Sequence, residues 1–188
     1  AKRYTESLIA HHTSGRLKVA PEHTSPNVLK IMRKPPFSLF ERFTRIFDEV
    51  NKKYGLKQQL IPYFISSHPN SHEVDMAELA VLTKRLNFHL EQVQDFTPTP
   101  MTLATEIYYT GYHPYTLEKL YCAISPEEKR KQRRYFFWYK PEERRELIQA
   151  LQSLHRPDLI EALFGQYVAR QPESSKKKNP RQSSEQHS

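Results

Sequence analysis

Three short runs of this 188-residue chain carry side chains suited to binding or proton chemistry: Pro21-Glu22-His23-Thr24, Ser66-Ser67-His68-Pro69-Asn70 and Asp95-Phe96-Thr97-Pro98-Thr99. Carboxylates, imidazoles and hydroxyls at that density can hold ribose, amino or carboxylate groups. Residue type alone favours a plainer reading, in which Ser, Thr, Asp, Asn and Pro cap the helices that follow. Position argues for a site, because each run follows a strand-like segment and parallel α/β folds bind ligands at the carboxyl ends of their strands.

The remaining reactive side chains are less suggestive. His68 and His72 are four apart, but Pro69 and Asn70 place His68 before the helix starts, and no His-Glu-x-x-His pattern is present. His11-His12 reads as a solvated pair and Cys122 as a buried, inert thiol rather than a nucleophile. The run from Lys129 to Lys140 interleaves basic and aromatic residues, a composition that binds single-stranded nucleic acid by phosphate contact and stacking. Five consecutive aromatics, Tyr135 to Tyr139, are better read as a segment that docks a C-terminal helix, since Glu127, Glu128, Glu142 and Glu143 dilute the positive field.

The elements that must position these groups alternate. Arg16 to Ala20 has period two and is expected to stop at Pro21. Ser25-Pro26 reads as a helix N-cap followed by Pro at the first helical position. Ser38 to Glu41 reads as a capping box, with Phe40, Phe43, Phe47, Val50 and Tyr54 forming a helical stripe that ends at Gly55. Gln59 to Ser66 lacks polar alternation at its centre, the profile of a strand covered on both faces. Asn70-Ser-His-Glu73 caps a helix with Met76, Leu79, Ala80, Thr83 and Leu86 on its inner side, and Gln92 to Phe96 is a third strand. The crossovers are long enough for parallel pairing. Beyond Thr102 come turns and short helices: one opened by Ser125-Pro-Glu-Glu128, one from Pro141 to about Leu154, and one from Pro157 to Phe164 ended by Gly165.

Composition narrows the class. The net charge of +8 resolves into 12 basic and 5 acidic residues over 1–61, 3 and 7 over 62–125, and a basic remainder. The only cysteine is Cys122, which excludes an internal disulfide, a Cys-rich zinc site and an iron–sulfur cluster held entirely by these residues. Only four Gly are present, none in a Gly-x-Gly-x-x-Gly or Gly-x-x-x-x-Gly-Lys pattern, which disfavours Rossmann and P-loop nucleotide sites. Apolar runs reach about six residues, as in Leu60 to Ile65, too short for a bilayer span, and no signal-peptide pattern is visible. A soluble, cytoplasmic protein without membrane partners is therefore expected. Residues 171–188 hold no aliphatic or aromatic side chain and are expected to be a disordered basic tail.

At the three strand ends the sequence stops being generic. Leu17 to Lys34, Tyr63 to Pro69, and Gln92 to Thr102 with Tyr108-Tyr-Thr-Gly111 closely resemble the C-terminal half of the YgiQ-like radical SAM proteins, over about residues 3 to 165. The resemblance implies part of a (β/α) barrel and an enzyme that cleaves S-adenosylmethionine (SAM) reductively. It also implies a [4Fe-4S] cluster held by a Cys-x-x-x-Cys-x-x-Cys loop near the first barrel strand, a loop this sequence lacks. By the same resemblance the three strands are the fourth to sixth of the barrel. Glu22 falls where relatives place a polar residue facing the ribose or methionyl part of the cofactor. Ser66, Ser67, His68 and Pro69 align with a turn beside the adenosine, and Thr97 marks the end of the sixth strand, near adenine or substrate. Two departures stand out: Ser67 and Asn70 occupy positions where Gly is usual, although Asn tolerates the left-handed conformation.

The expected fold class is thus α/β: a partial parallel (β/α) barrel of about three βα units over 1–111, a mostly helical extension over 112–170, and the tail. The chain, which starts at Ala1 without Met, reads as a C-terminal fragment of a radical SAM enzyme. Glu22, Ser66, Ser67, His68 and Thr97 are its cofactor-binding candidates; no catalytic residue or substrate is assigned. SAM and the cluster belong to the full-length protein, with none expected on this chain alone, and the partner is the missing N-terminal half. The competing expectation is a nucleic-acid or protein-binding module centred on 126–188, without catalysis.

Overall fold

A computed structural model describes residues 2–90 and 93–165. The expected tail at 171–188 and the first residue of the expected third strand, Gln92, lie outside the described residues. Helix α1 (Lys2–His12) leads into strand β1 (Arg16–Glu22), then helices α2 (Pro26–Ile31) and α3 (Ser38–Tyr54). Strand β2 (Gln59–Ser66), helix α4 (Glu73–Arg85) and strand β3 (Val93–Asp95) complete the α/β part. Helices α5 (Leu103–Thr110), α6 (Pro126–Arg134), α7 (Pro141–Ser153) and α8 (Pro157–Phe164) follow, with a 3-10 turn at Tyr135–Phe137 between α6 and α7.

The three strands form one parallel sheet in the order β1-β2-β3, as the long helical crossovers require. Leu17 lies opposite Leu60 and Val19 opposite Pro62; Ile65 lies opposite Gln94 and Ser66 opposite Asp95. β1 does not stop at Pro21, as expected from sequence, but reaches Glu22 through a register shift after Val19. An edge strand tolerates a proline, and the irregularity absorbs its missing donor.

Nor is β2 covered on both faces. Pro62, Phe64 and Ser66 are buried, whereas Ile61, Tyr63 and Ile65 on the other side are half-buried and belong to neither hydrophobic core. Among the described residues helices cover one side only. On the open side the Lys18 ammonium lies 5.8 Å from the Tyr63 ring centre.

The main core joins both halves of the chain. Phe64 of β2, Phe40 of α3 and Met76 and Leu79 of α4 pack in one cluster with Tyr135, Phe136, Leu147, Leu151 and Leu163. A smaller core sets Ile9 of α1 against Phe47 and Val50 of α3. α3 ends as its sequence demands, with Gly55 at φ 64° and its N–H donating to the Asn51 carbonyl. Its start differs: Phe37 occupies the N-cap without a side-chain bond, and Glu41 pairs instead with Arg85 of α4. No helix among the described residues is long and apolar enough to cross a membrane.

Candidate functional site

The sheet aims its three strand ends at one place. A cavity of about 440 Å³ opens there, lined by Glu22, His68 and Thr97, by Ile65 and Phe96 from the open side of the sheet, and by Arg33, Lys34 and Asp95. That size and mix of apolar wall with a few convergent polar groups suit a small ligand. A second cavity of similar volume, lined by Arg16, Lys18 and His89, lies at the opposite ends of the strands, where parallel sheets seldom bind.

Glu22 ends β1 with φ 68°, a left-handed conformation costing a non-glycine residue about 1 kcal/mol or more. Its Oε1 accepts from the Lys34 ammonium at 3.2 Å, and that ammonium also donates to the Ala20 carbonyl at 3.2 Å. The carboxylate is therefore held at the rim by a cation from the end of the α2 segment.

His68 is 5% exposed, with its ring set edge-on to Phe96 at 5.1 Å. Its Nδ1 lies 3.0 Å from the Pro69 carbonyl. A carbonyl only accepts, so Nδ1 carries the proton and Nε2 a lone pair. Burial pushes its pKa down, more than the Pro69 bond raises it, and keeps the ring neutral at neutral pH.

Thus three of the five residues expected to bind a cofactor, Glu22, His68 and Thr97, line one cavity. Ser66 and Ser67 do not. Both are fully buried: Ser66 Oγ donates to Asp95 Oδ1 at 2.5 Å, and the Ser67 N–H donates to Gln132 Oε1 at 2.9 Å. They shape the turn rather than face the cavity. Ser67 and Asn70, the two departures from glycine, adopt φ 60° and 68°, so the turn keeps its left-handed corners with side chains present. The Asn70 N–H donates to the Tyr121 carbonyl at 2.7 Å.

His23, next to Glu22, is fully buried. Its Nδ1 accepts from the N–H groups of Thr24 and Ser25, each at 3.0 Å, which puts the ring proton on Nε2, 3.3 Å from Ser71 Oγ. Ser25 donates its N–H to His23, and its side chain makes no cap to α2. Burial dominates the His23 pKa and lowers it to about 4; Asp75 opposes that shift and His68 adds to it.

The other reactive side chains are engaged. His72 stacks on Tyr121 with ring centres 4.6 Å apart, and burial pushes the half-buried Cys122 thiol up. Among the described residues no group of three or more His, Cys, Asp or Glu is placed to hold a metal ion. In the basic and aromatic run, Tyr135 and Phe136 are fully buried, and Tyr135 donates to Glu73 Oε1 at 3.0 Å. Lys131 pairs with Glu127 at 2.9 Å and Arg133 with Asp95 at 3.0 Å. This segment docks the helical extension onto the sheet, as its five aromatics suggest.

Sequence reasoning missed Lys34 and Gln132. Lys34 has no motif relation to Glu22, twelve residues earlier, and Gln132, 1% exposed, is flanked by Lys131 and Arg133 and belongs to no motif.

A family described as a domain of unknown function, DUF3362, matches residues 91–187. A UPF0313 protein of Bacteroides thetaiotaomicron is 64% identical over 162 residues, covering 86% of this chain and 26% of the relative. One from Porphyromonas gingivalis is 64% identical over 164 residues, 87% of this chain and 26% of the relative. One from Geobacter sulfurreducens is 43% identical over 162 residues, 86% and 27% respectively. The chain spans about a quarter of the length of these curated relatives.

Proposed function

This chain belongs to the DUF3362 family, and from that premise we propose that it is the C-terminal part of a larger radical SAM enzyme, where it forms one wall of the SAM pocket. The observation that supports this most is the convergence of Glu22, His68 and Thr97 on one cavity at the carboxyl ends of three parallel strands. SAM presents an ammonium, a carboxylate, a ribose diol and an adenine. The donor set suits those groups: the Glu22 carboxylate accepts from an ammonium or a hydroxyl, and unprotonated His68 Nε2 accepts from an exocyclic amine. Ile65 and Phe96 supply apolar surface, and the Thr97 hydroxyl can donate or accept.

The iron–sulfur cluster is a different case. Its ligands would be three thiolates, whereas the chain has Cys122 alone. The residues present do not fit a cluster, which in this reading is held by the remainder of the polypeptide. Reductive cleavage of a sulfonium is the chemistry that such a cofactor pair supplies. This chain's part is to bind and orient: Lys34 holds Glu22, and Pro69 fixes the His68 tautomer.

The test uses the full-length polypeptide with its cluster reconstituted under anaerobic conditions. SAM should perturb the electron paramagnetic resonance spectrum of the reduced cluster, and dithionite should yield 5'-deoxyadenosine. Glu22→Gln should weaken SAM binding by about tenfold, the size expected for one lost charge-assisted hydrogen bond. A full-length protein that carries the cluster but neither binds nor cleaves SAM would refute the proposal.

A further inference from the structure

The helical extension is tied to the loops around the cavity by α6. Gln132 of α6 is 1% exposed and makes three hydrogen bonds to the turn between β2 and α4. Its Oε1 accepts from the Ser67 N–H at 2.9 Å and from Ser71 Oγ at 3.0 Å, and its Nε2 donates to the Ser71 carbonyl at 2.6 Å. The orientation of the amide is not free. A backbone N–H can only donate and a carbonyl can only accept, so reversing the amide would break both backbone bonds.

The same contacts extend to the next loop. Ser71 Oγ gives its proton to Gln132 and lies 3.3 Å from His23 Nε2, the protonated ring nitrogen, from which it accepts. The bonds therefore run one way, from His23 through Ser71 to Gln132. The other ring nitrogen of His23 holds the Thr24 and Ser25 amides of the loop that directly follows Glu22. One residue along α6, Arg133 pairs with Asp95 at the end of β3. A single helix of the extension thus touches the ends of β2 and β3 directly and that of β1 through Ser71.

We propose that Gln132 is a positioning residue: from the extension it fixes the two loops that present Glu22 and His68 to the cavity. The turn needs such a fixture. Ser67 and Asn70 are both held in the left-handed region without being glycine, and neither has a regular strand or helix partner for its N–H; Gln132 and Tyr121 supply those partners. This inference rests on the SAM reading only for what the cavity takes.

The experiment is Gln132→Met in the full-length polypeptide, which keeps the volume and removes all three bonds. Amide hydrogen exchange is read in the absence of any cofactor. The Ser67 amide and those of Thr24 and Ser25 should exchange faster by about tenfold or more, with the Phe64 amide unchanged. In the reconstituted protein the KM for SAM should rise about tenfold, while iron content and the spectrum of the SAM-free cluster stay the same. Ser71→Ala is the milder variant should Gln132→Met fail to fold: it should release Thr24 and Ser25 while the Ser67 amide stays protected. Unchanged exchange at both loops overturns the proposal, and so does faster exchange with an unaltered KM for SAM. A wild-type protein that takes no SAM refutes the cofactor reading alone, because the exchange measurements still decide the role of Gln132.

Discussion

Lowering the pH from 7 to 4.5 should destabilise this chain through His23 in particular. Its folded-state pKa of about 4 lies below the usual 6.5 because the ring is buried, and its Nδ1 accepts from the Thr24 and Ser25 amides. As the pH falls below 6.5 the unfolded chain takes up the proton first. Stability is fully present above 6.5 and is lost as the pH falls toward 4, below which both states carry the proton. Each pH unit in that window costs about 1.4 kcal/mol, so the full loss is about 3 kcal/mol. Urea unfolding can be followed through Trp138, the only tryptophan. A loss of that size would move the midpoint by about 1 M or more. Carboxylates and His68 also titrate, so the comparison is with His23→Asn, whose Oδ1 can replace Nδ1 as acceptor without a titrating ring. Wild type should lose about 3 kcal/mol more than the variant between neutral pH and pH 4. Parallel losses in the two proteins would refute the assignment of a neutral, double-accepting His23.

Three other outcomes follow from the packing. Leu151→Ala, at a fully buried position in the core shared by sheet and extension, should cost about 2–5 kcal/mol, seen as a lower urea midpoint with an unchanged slope. Tyr135→Phe removes the bond to Glu73 and should cost about 1.5–3 kcal/mol; in a double-mutant cycle with Glu73→Ala, which removes the acceptor, most of that loss should appear as coupling. Cys122, whose thiol burial pushes up, should react with iodoacetamide at pH 7 more slowly than free cysteine, and unfolding should abolish the difference.

Much of the scaffold was legible because its signals are local. Gly55, Pro26 and the Ser125–Glu128 box mark helix ends by backbone chemistry that needs no tertiary partner, and the structure places helix ends there. The Ser38–Glu41 box carries the same pattern but fails, since Arg85 competes for the Glu41 carboxylate from another helix. α1 gave no signal: among its described side chains only Ile9 is fully buried, against α3, so its sequence shows no stripe. The one-sided cover of β2 was equally hidden, because an apolar strand reads alike whether its second face is packed or open. Glu22, His68 and Thr97 stand out in the sequence by their place after the strands, and the three line one cavity. Ser66 and Ser67 belong to the same run as His68 but turn inward at the left-handed corner of Ser67, toward Asp95 and Gln132, a placement that residue type alone does not show.

The shared core has a consequence for modularity. A cut between α4 and β3 looks natural in the chain, yet it would leave Met76 and Leu79 on one piece and Tyr135, Phe136 and Leu151 on the other, each stripped of its apolar partners. The two pieces share one core. A chimera that exchanged the extension between relatives would have to carry over the complementary surface of α4 as well. Otherwise it would shift the turn behind His68, so any divergence in the extension is felt at the cavity even where no residue of the extension faces the ligand.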